Sequence, residues 1–496
     1  MTSTLTRYAR STLLLNLVSD ITANGGYYVC YSQYMGWPDE LNPPTAIDSV
    51  DSYNKNWEQM IYAKKVQPTD VSILLDNTPW TTNTVYTSYD HRTTEQGDYV
   101  ITDQRNVYKC LFNANGVPST SKPTVTANVP FTSADGYVWK YMFTPDQASI
   151  DKFGDLTYIP YVANSTITSQ AQPGTIDIVL VEQSGNNWGA VHSGVVQSVV
   201  SPTVMQISSN AVSTNSYYDQ SAFYVQSGNG AGFLSQISSY VSNTQGNYVV
   251  LNDGSNAASF GSSYYISPYV SIVGDGSGAR AYSTVNTTLG VITGVTVINS
   301  GSGYTWANAA FSAGLLTSNT MAVVTPMIAP PGGHGFDPVN ELGAHVIKVV
   351  VQTSNTDSIP ANVSFRTTSI IASPNQANGS PATANAYSVY YTANVTLSIS
   401  TPTPPTPTER VTGQSSSATA TVILANTTSF LMGDMRGTFV PGEAIISNTS
   451  STIAVLSSIN TPQLQKYTGS VFYLNNFQVI TRTTVSKEMI KIIIGT

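Results

Sequence analysis

The chain has 496 residues, of which 41% are hydrophobic and only 10% are charged, and its net charge at pH 7 is −8. Soluble domains ordinarily carry roughly 25% charged residues, so we expect a surface made mainly of neutral polar groups. The basic residues do not cluster into runs, which argues against nucleic acid as a partner. No apolar run approaches the length of about 18 residues that a membrane span needs.

The first predicted element is an amphipathic helix over residues 5–23, which Asn24-Gly25-Gly26 ends. Its apolar face consists of Leu13, Leu14, Leu17, Val18 and Ile21. Arg7 and Arg10 precede the leucines in the manner of a signal peptide, but Asn16 breaks the apolar run after three leucines. We therefore do not expect a secretory signal here.

Residues 27–31 predict a strand, and the prolines between residues 37 and 44 predict an ordered loop. A second helix is predicted next, because apolar residues recur at helical spacing: Val50, Tyr53, Trp57, Met60 and Ile61. Asp48 or Ser49 is placed to cap it. Lys64 and Lys65 are placed to complement the negative end of its dipole, and Pro68 cannot continue it.

Further strands are predicted over residues 71–75, 98–102 and 106–112. The most informative stretch follows them, where Asp135-Gly136 predicts a tight turn. After this turn the large rings alternate with period two, at Tyr137, Trp139, Tyr141 and Phe143. Alternation places the four rings on one face of a strand, and their size predicts that this face is hidden from water.

The two cysteines, Cys30 and Cys110, lie in apolar strand-like runs. A pair of cysteines is compatible with a disulfide, but buried free thiols are expected for a chain that folds in a reducing cytosol.

The composition changes between residues 166 and 333, where Arg280 is the single basic residue against five acidic ones. Within this stretch, residues 174–188 align with residues 290–304. Each copy reads as a strand, then a Ser-Gly turn, then Trp188 or Tyr304. We interpret the two copies as a duplicated β unit, which is too few for a solenoid.

After residue 334 the pattern predicts a strand over residues 346–351 that rejoins the first unit. Residues 401–408 predict an extended polyproline-type spacer. Short strands between residues 418 and 456 predict a second small β insert. At the end, residues 471–474 and 489–494 predict two strands, and the last is apolar enough to be central in a sheet.

We predict a mainly β fold with an α+β core, in which a β-sandwich-like body carries a few short helices and inserted small β modules. Five consecutive segments are expected: a core part (1–165), a low-charge β insert with the duplicated unit (166–333), a return to the core (334–400), a Pro/Thr linker with a second small β insert (401–465), and C-terminal core strands (466–496).

One group of residues has the composition of a metal site: His334, Asp337, Glu341 and His345. Pro338 and Gly343 interrupt the helix on which metal-binding His and Glu pairs rely. We therefore expect no metal there, and a loop entering a strand with Glu341 exposed.

No other pattern predicts catalysis or a cofactor. Paired carboxylates for glycoside hydrolysis can be drawn from Asp98, Asp103 or Asp135, but Asp135 is better explained by its turn. Residues 274–278 contain a Gly-x-Gly-x-Gly string without the helix that would aim N–H groups at phosphate, so a turn is expected. The chain is expected to be neither an enzyme nor a cofactor-binding protein.

Aromatic residues among Ser, Thr and Asn are also how sugar-binding surfaces are built. In the insert, Trp188, Tyr304 and Trp306 are candidate glycan contacts. The competing interpretation is that these rings form the core of thin β modules.

Several of these patterns together resemble the baseplate wedge subunit (gene product eight family) of T-even-type contractile-tail phages. The resemblance covers about residues 1–165, 335–400 and 466–496. The matching residues are Pro43, Pro44, Asp48, Val50, Trp57, Met60, Pro68, Trp80, Asp135, Gly136, Tyr137, Trp139, Tyr141, Glu341, Gly343 and Arg482.

The resemblance implies a structural virion protein of the tail baseplate, assembled in the host cytoplasm. It implies a homodimer within each wedge that binds neighbouring wedge proteins and takes part in the rearrangement that triggers sheath contraction. The two low-charge inserts depart from compact family members. The alternatives are a tail-associated receptor- or glycan-binding adhesin, which would contact host-surface glycans through the inserts, and a tail-associated hydrolase.

Overall fold

The computed structural model describes residues 5–24, 26–93, 97–189, 191–254, 258–312, 320–353, 357, 359–382 and 388–495. The fold is mainly β, as predicted, with 44% strand and 10% helix. The chain forms two compact units. Unit 1 consists of Met1–Leu74, Asp151–Gly154 and His345–Thr496, and unit 2 of Leu75–Ile150 and Asp155–Ala344. Both units are therefore discontinuous in sequence, whereas the five predicted segments are consecutive and stay a prediction.

The helices are short except for the first one. They are α1 (Arg7–Asn24), α2 (Val50–Glu58), α3 (Gln147–Phe153), α4 (Ser165–Gln170) and α5 (Pro338–Glu341), with a 3-10 turn over Pro68–Asp70. None of the helices in the described residues is long and apolar enough to cross a membrane.

The strands, in chain order, are β1 (Tyr27–Ser32), β2 (Tyr62–Lys65), β3 (Val71–Asp76), β4 (Tyr99–Ile101), β5 (Val107–Asn113), β6 (Phe131–Thr132), β7 (Tyr137–Phe143), β8 (Tyr158–Pro160), β9 (Ile176–Gln183), β10 (His192–Val195), β11 (Ser198–Ser201), β12 (Val204–Ile207), β13 (Ala222–Ser227), β14 (Leu234–Asn243), β15 (Gly246–Leu251) and β16 (Ser263–Ser267). They continue as β17 (Tyr269–Gly274), β18 (Ser277–Asn286), β19 (Val291–Ser302), β20 (Ala307–Ser312), β21 (Val323–Ile328), β22 (Val346–Gln352), β23 (Ser364–Ala372), β24 (Ser388–Tyr390), β25 (Ala393–Leu397), β26 (Arg410–Gly413), β27 (Thr419–Ala425), β28 (Ser429–Arg436), β29 (Ala444–Ser447), β30 (Ile453–Asn460), β31 (Ser470–Thr481) and β32 (Met489–Gly495).

Unit 1 contains an antiparallel sheet of five strands in the order β24-β2-β1-β23-β31 and a run of antiparallel strands in the order β32-β22-β3. It also contains a closed barrel, β25-β28-β27-β26-β29-β30. Every residue of β1 is buried, because β2 and β23 flank it and its side chains pack on both faces of the sheet. Cys30, in the middle of β1, is a buried free thiol, and Cys110 of unit 2 is another, as predicted.

Helices α1 and α2 form where they were predicted. Leu14 and Ile21 of α1 are buried, but Leu13 is 49% exposed, so the buried face is narrower than expected. Ser49 caps α2 by accepting a hydrogen bond from the Ser52 N–H at 3.2 Å.

The predicted end of α2 was wrong. The helix stops at Glu58, so Met60 and Ile61 lie beyond it and Lys64 and Lys65 belong to β2. These lysines therefore do not complement its dipole. The apolar residues after Glu58 are buried because they enter a sheet strand.

The prediction for the last strand was also wrong. Strand β32 lies at the edge of its sheet, with β22 as its hydrogen-bonded neighbour in unit 1. Side chains along β32 alternate between exposed and inward positions, so that Ile492 is 2% exposed and Ile493 is 45% exposed. Strand β22, buried along almost its whole length, holds the central position.

The Pro/Thr segment is fastened to the barrel. The Thr401 N–H donates to the carbonyl of Thr427 at 2.8 Å, and the Thr452 hydroxyl donates to the carbonyl of Thr403 at 2.6 Å. The barrel itself begins with β25, before residue 401. The segment predicted as a spacer therefore packs as part of this module.

Unit 2 contains an antiparallel sheet in the order β4-β5-β7-β6, which we call the aromatic sheet. The strands β9–β21 pair only with one another within the described residues. They form a seven-stranded sheet (β10-β16-β13-β14-β15-β12-β11), a four-stranded sheet (β19-β18-β17-β20) and a β21-β9 pair.

The aromatic strand is confirmed. The exposed fractions of Tyr137, Trp139, Tyr141 and Phe143 in β7 are 0%, 0%, 8% and 1%. The Tyr137 and Trp139 rings stack with centroids 5.3 Å apart. Asp135 lies in the turn before them, where the Gly136 N–H donates to the carbonyl of Ser133 at 2.9 Å and the Tyr137 N–H donates to the Asp135 carboxylate at 3.4 Å. The same carboxylate also accepts hydrogen bonds from the N–H groups of Thr120 and Ser121, both at 2.8 Å, which fasten a neighbouring loop to the turn.

The aligned repeats contact each other reciprocally. The Trp188 N–H, at the end of the first copy, donates to the carbonyl of Gly290, the first residue of the second copy, at 3.0 Å. The Tyr304 N–H, at the end of the second copy, donates to the carbonyl of Gly174, the first residue of the first copy, at 3.1 Å. The two glycines have matching φ angles of +63° and +66°. This exchange gives β9 and β19 an approximate two-fold relation.

We predict that Gly174→Ala destabilises this pair of strands. A Cβ at residue 174 would lie 2.4 Å from the Tyr304 nitrogen. The left-handed backbone costs an L-residue about 1–2 kcal/mol, and the clash adds about 1–3 kcal/mol. Native-state hydrogen exchange should show the opening free energy of residues 176–183 and 291–302 falling by about 2–5 kcal/mol.

The matched control is Gly116→Ala, since Gly116 also has a positive φ of +81° but no atom within 4 Å of its Cβ position. It should cost only the backbone term of about 1–2 kcal/mol. Equal effects of the two substitutions would contradict the reciprocal contact.

Candidate functional site

Two lysines lie side by side in the buried part of the aromatic sheet. The register of β5 and β7 places Lys109 directly opposite Lys140, and they are only 1% and 3% exposed. Neighbouring like charges in a sheet are destabilising, and a buried ammonium group needs a compensating partner. The fold must therefore supply counter-charges or hydrogen-bond acceptors for both.

Glu341 supplies the counter-charge for Lys109. Its Oε2 lies 3.0 Å from the Lys109 Nζ, and its Oε1 accepts hydrogen bonds from the N–H groups of Gly335 at 2.8 Å and Asp337 at 3.3 Å. The side chain is 3% exposed, so the expectation that Glu341 faces solvent was wrong. Glu341 is the last residue of helix α5, which Asp337 caps. Its carboxylate points inward and pairs with the buried Lys109.

His334 completes this group, which we call the Lys-Glu-His cluster (Lys109, Glu341 and His334). The His334 Nδ1 lies 3.6 Å from the Glu341 Oε2, beyond hydrogen-bond length. Its ring meets the Tyr89 ring edge-on at 4.7 Å, and the Lys109 Nζ lies 4.3 Å from the centroid of the same Tyr89 ring. The Tyr89 ring thus contacts two members of the cluster, His334 and Lys109.

The surroundings lower the pKa values of both Glu341 and His334, for different reasons. Burial raises the pKa of Glu341, but the Lys109 charge, with a smaller contribution from His334, outweighs it and lowers the pKa to about 2. The pKa of His334 is lowered mainly by burial and secondly by the positive charge of Lys109. At neutral pH the cluster therefore holds an ionised Lys109–Glu341 pair beside a neutral imidazole.

A cleft of about 730 Å³ lies next to the cluster, bounded by the aromatic sheet on one side and by β9 and β19 on the other. We call it the β9–β19 cleft. His334, Lys140 and Asp177 are the ionisable side chains that line it. The Lys140 Nζ donates a hydrogen bond to the carbonyl of Asn128, and burial lowers the pKa of Lys140.

Asp177 is the acidic side chain in the lining of the cleft. Asp177 accepts hydrogen bonds from the hydroxyls of Ser300 at 2.7 Å and Thr175 at 3.1 Å, so these hydroxyls orient a carboxylate. Among the described residues, no group of three or more His, Cys, Asp or Glu side chains is placed to hold a metal ion. Asp337, considered above as a ligand, instead accepts from the Asn340 N–H at 3.2 Å.

The residues that carry the family resemblance lie in both units. In unit 1, Trp57 and Met60 belong to a buried cluster with Tyr28 and Cys30. Pro68 begins the 3-10 turn. Arg482 is 4% exposed and binds Glu488.

In unit 2, Tyr137, Trp139 and Tyr141 form one buried cluster, against which Trp80 packs. Gly136 occupies the turn before β7 with a φ of +85°. Gly343 follows α5 with a φ of +70°.

Some of the residues that carry the family resemblance lie in an exposed loop. Residues 41–50 contain Pro43, Pro44, Asp48 and Val50, and they leave Leu41, Ile47 and Val50 exposed by 75%, 66% and 72%. We call these three side chains the loop surface. The loop is nevertheless fixed, since Gln478 donates to the carbonyl of Leu41 at 2.9 Å and Asn476 donates to that of Pro44 at 3.0 Å.

The candidate glycan contacts do not form one surface. Trp188 and Tyr304 are 0% and 4% exposed, and both belong to the buried core of the duplicated unit. The prediction that these two rings stack on a sugar was therefore wrong. Trp306 is 51% exposed. Its backbone N–H donates to Asp275 at 3.2 Å, in the Gly-rich segment that forms the predicted turn between β17 and β18.

No protein-family model matches the chain, and a search of curated proteins gives no significant match.

Sequence reasoning singled out His334 and Glu341 but missed Lys109 and Lys140. The available signal was a single lysine inside each of two otherwise apolar strands, β5 and β7. A lysine in a strand that is buried on both faces predicts a buried partner.

We predict that Glu341→Gln destabilises unit 2 in a pH-dependent way. Removing one partner of a buried pair costs about 3–5 kcal/mol. Because the folded pKa of Glu341 is lowered from about 4.5 to about 2, its contribution is complete above about pH 4.5 and is lost as the pH falls towards 2. The linkage amounts to about 3 kcal/mol. Thermal melts should therefore show a gap between wild type and variant at pH 7 that narrows steadily between pH 4.5 and 2.

The control is Glu182→Gln, which removes an exposed ion pair with Arg92. Exposed pairs contribute about 0–1 kcal/mol, so a small change in melting temperature is expected. A gap for Glu341→Gln that does not change with pH would contradict the ionised pair.

Proposed function

We propose that this chain is a structural subunit of a phage tail baseplate, a wedge protein that is held by its neighbours and by a second copy of itself. The observation that carries the proposal is the loop surface. Leu41, Ile47 and Val50 are exposed by 66% or more, and they lie in the segment that most resembles the wedge family. These three apolar residues fall within ten residues of the chain, and exposed apolar patches are typical of protein–protein contact sites.

The anchoring of the loop favours an interface over a mobile loop. Besides the two side chains from β31, the Trp37 Nε1 donates to the carbonyl of Phe477 at 3.1 Å, and Glu40 forms an ion pair of 2.8 Å with Arg366 of β23. A surface that is already ordered loses little conformational entropy when it binds.

The composition supports the same role. Only 10% of the residues are charged, while 30 are tyrosines. Few ionised groups must leave water when such a surface is covered, and tyrosine is enriched in interfaces. The proposal places the protein in the virion, with assembly in the host cytoplasm, and it requires no cofactor and no catalytic step.

The proposal predicts that replacing Leu41, Ile47 and Val50 together by serine prevents incorporation into tail particles. The exposed side chains make few contacts within the chain, so stability should change by no more than about 0.5 kcal/mol per site. Complementation of a particle that lacks the native chain, followed by purification of tails and quantification of the subunit, should show a loss of about tenfold or more, because interface anchors contribute about 2 kcal/mol or more.

Leu156→Ser is the matched control, since Leu156 is 96% exposed but lies in unit 2, outside the loop surface. It should be incorporated like the wild type. Normal incorporation of the triple variant, with its melting temperature unchanged, would refute the assignment of the loop surface.

A further inference from the structure

The two strands that form one wall of the β9–β19 cleft are bound to each other. The reciprocal hydrogen bonds of the repeats join them at both ends, and the Ser300 hydroxyl of β19 donates to Asp177 of β9 at 2.7 Å. Another strand in the lining, β6, is only two residues long. A ligand in the cleft is therefore held by side chains, and not by a β ladder.

The opposite wall is the face of the aromatic sheet that lies away from the aromatic core. The register places Phe112 of β5 beside Val138 of β7, and Lys140 follows on the same face, two residues along the strand. Phe112 and Val138 are partly exposed, so this wall offers an apolar surface next to an ammonium group. The cleft volume of about 730 Å³ lies within the range of small-molecule sites, about 300–1,000 Å³.

Most of the polar side chains in the lining are hydroxyls and amides. Among them, Thr293, Thr296 and Asn299 occupy exposed positions of β19. Hydroxyl and amide groups both donate and accept hydrogen bonds, and so do the hydroxyls of a sugar. The neutral part of the lining therefore suits a ligand that carries many hydroxyl groups.

Two charged side chains lie on the opposite walls and indicate a further property of the ligand. Lys140 is 3% exposed and donates to the Asn128 carbonyl, but in the part of the chain that the structure describes it forms no ion pair. Asp177 accepts from two hydroxyls. An ammonium group has three donors and a carboxylate about four acceptor positions. Lys140 can therefore donate to a carboxylate of the ligand, and Asp177 can accept from its hydroxyls.

We propose that the β9–β19 cleft binds a saccharide that carries a carboxylate, such as a uronic acid or a sialic acid. The carboxylate pairs with Lys140, the ring hydroxyls donate to Asp177, and the apolar face of the sugar ring packs against Phe112. The site uses none of the three rings considered above as glycan contacts. It lies in unit 2 and does not depend on the loop surface or on the proposed function.

Calorimetric titration of the full-length chain tests the proposal with tetragalacturonic acid, tetrameric sialic acid and the neutral tetrasaccharide maltotetraose. At least one of the two acids should bind, and the acid that binds identifies the class of sugar. Maltotetraose should bind at least about tenfold more weakly than that acid, because it has hydroxyls but no carboxylate. Equal binding of maltotetraose, or no binding of either acid, would overturn the proposal.

A pair of lysine variants tests the charge contact. Lys140→Met should weaken the binding of the acidic oligosaccharide by at least about tenfold and leave the binding of maltotetraose unchanged. Lys122→Met removes a lysine that is 35% exposed and paired with Asp103 in the same unit, and it should bind the acid like the wild type. Equal losses in the two variants would show attraction to the surface charge of the chain, and the proposal would then fail.

Two further variants test the wall formed by β9 and β19. Asp177→Asn keeps the shape of the side chain but removes its charge, so binding of the acid should weaken by about tenfold, since hydrogen bonds to charged groups are the stronger ones. Thr296→Trp fills the cleft from an exposed position of β19 and should abolish binding while the melting temperature is retained. Unchanged binding in either variant would place the saccharide outside the cleft and contradict the proposal.

Discussion

The alternation of side chains along β7 governs the organisation of unit 2. On one face, the rings of Tyr137, Trp139 and Tyr141 bury against Tyr86 and Tyr108, and this apolar burial, at about 25 cal/mol per Å², is a large stabilising term. The opposite face must then present the intervening residues, and Gly136, Val138 and Lys140 line the β9–β19 cleft. A single strand thus forms part of the core and one wall of the candidate binding site.

The duplicated unit provides the other wall. Because Gly174 and Gly290 adopt the same left-handed backbone and each accepts a hydrogen bond from the end of the opposite copy, β9 and β19 are held together at both ends. Trp188 and Tyr304, one from each copy, fill the core beneath them. The two rings that were considered as sugar contacts are therefore core residues of the duplicated unit.

Although the chain has few charged residues, some of them form ion pairs in the buried interior. The Lys109–Glu341 pair is buried in unit 2, and Arg482 with Glu488 is nearly as buried in unit 1. Buried pairs are weak evidence for stability, but breaking one is costly because it leaves an uncompensated charge. Much of the surface is left to neutral polar and apolar groups, including the loop surface that we propose to be covered in an assembly.

Sequence patterns were enough to predict the mainly β class, the capped helix α2, the buried free thiols and the aromatic strand, because these follow from periodicity and local turn chemistry over a few residues. They also located His334 and Glu341, but they placed Glu341 in solvent, continued α2 beyond Glu58 and put β32 in the middle of a sheet. These three features depend on contacts between residues that are far apart in the chain. Burial of Glu341 depends on Lys109, 232 residues away along the chain, and the position of a strand in its sheet depends on which distant strands pair with it, neither of which local periodicity encodes.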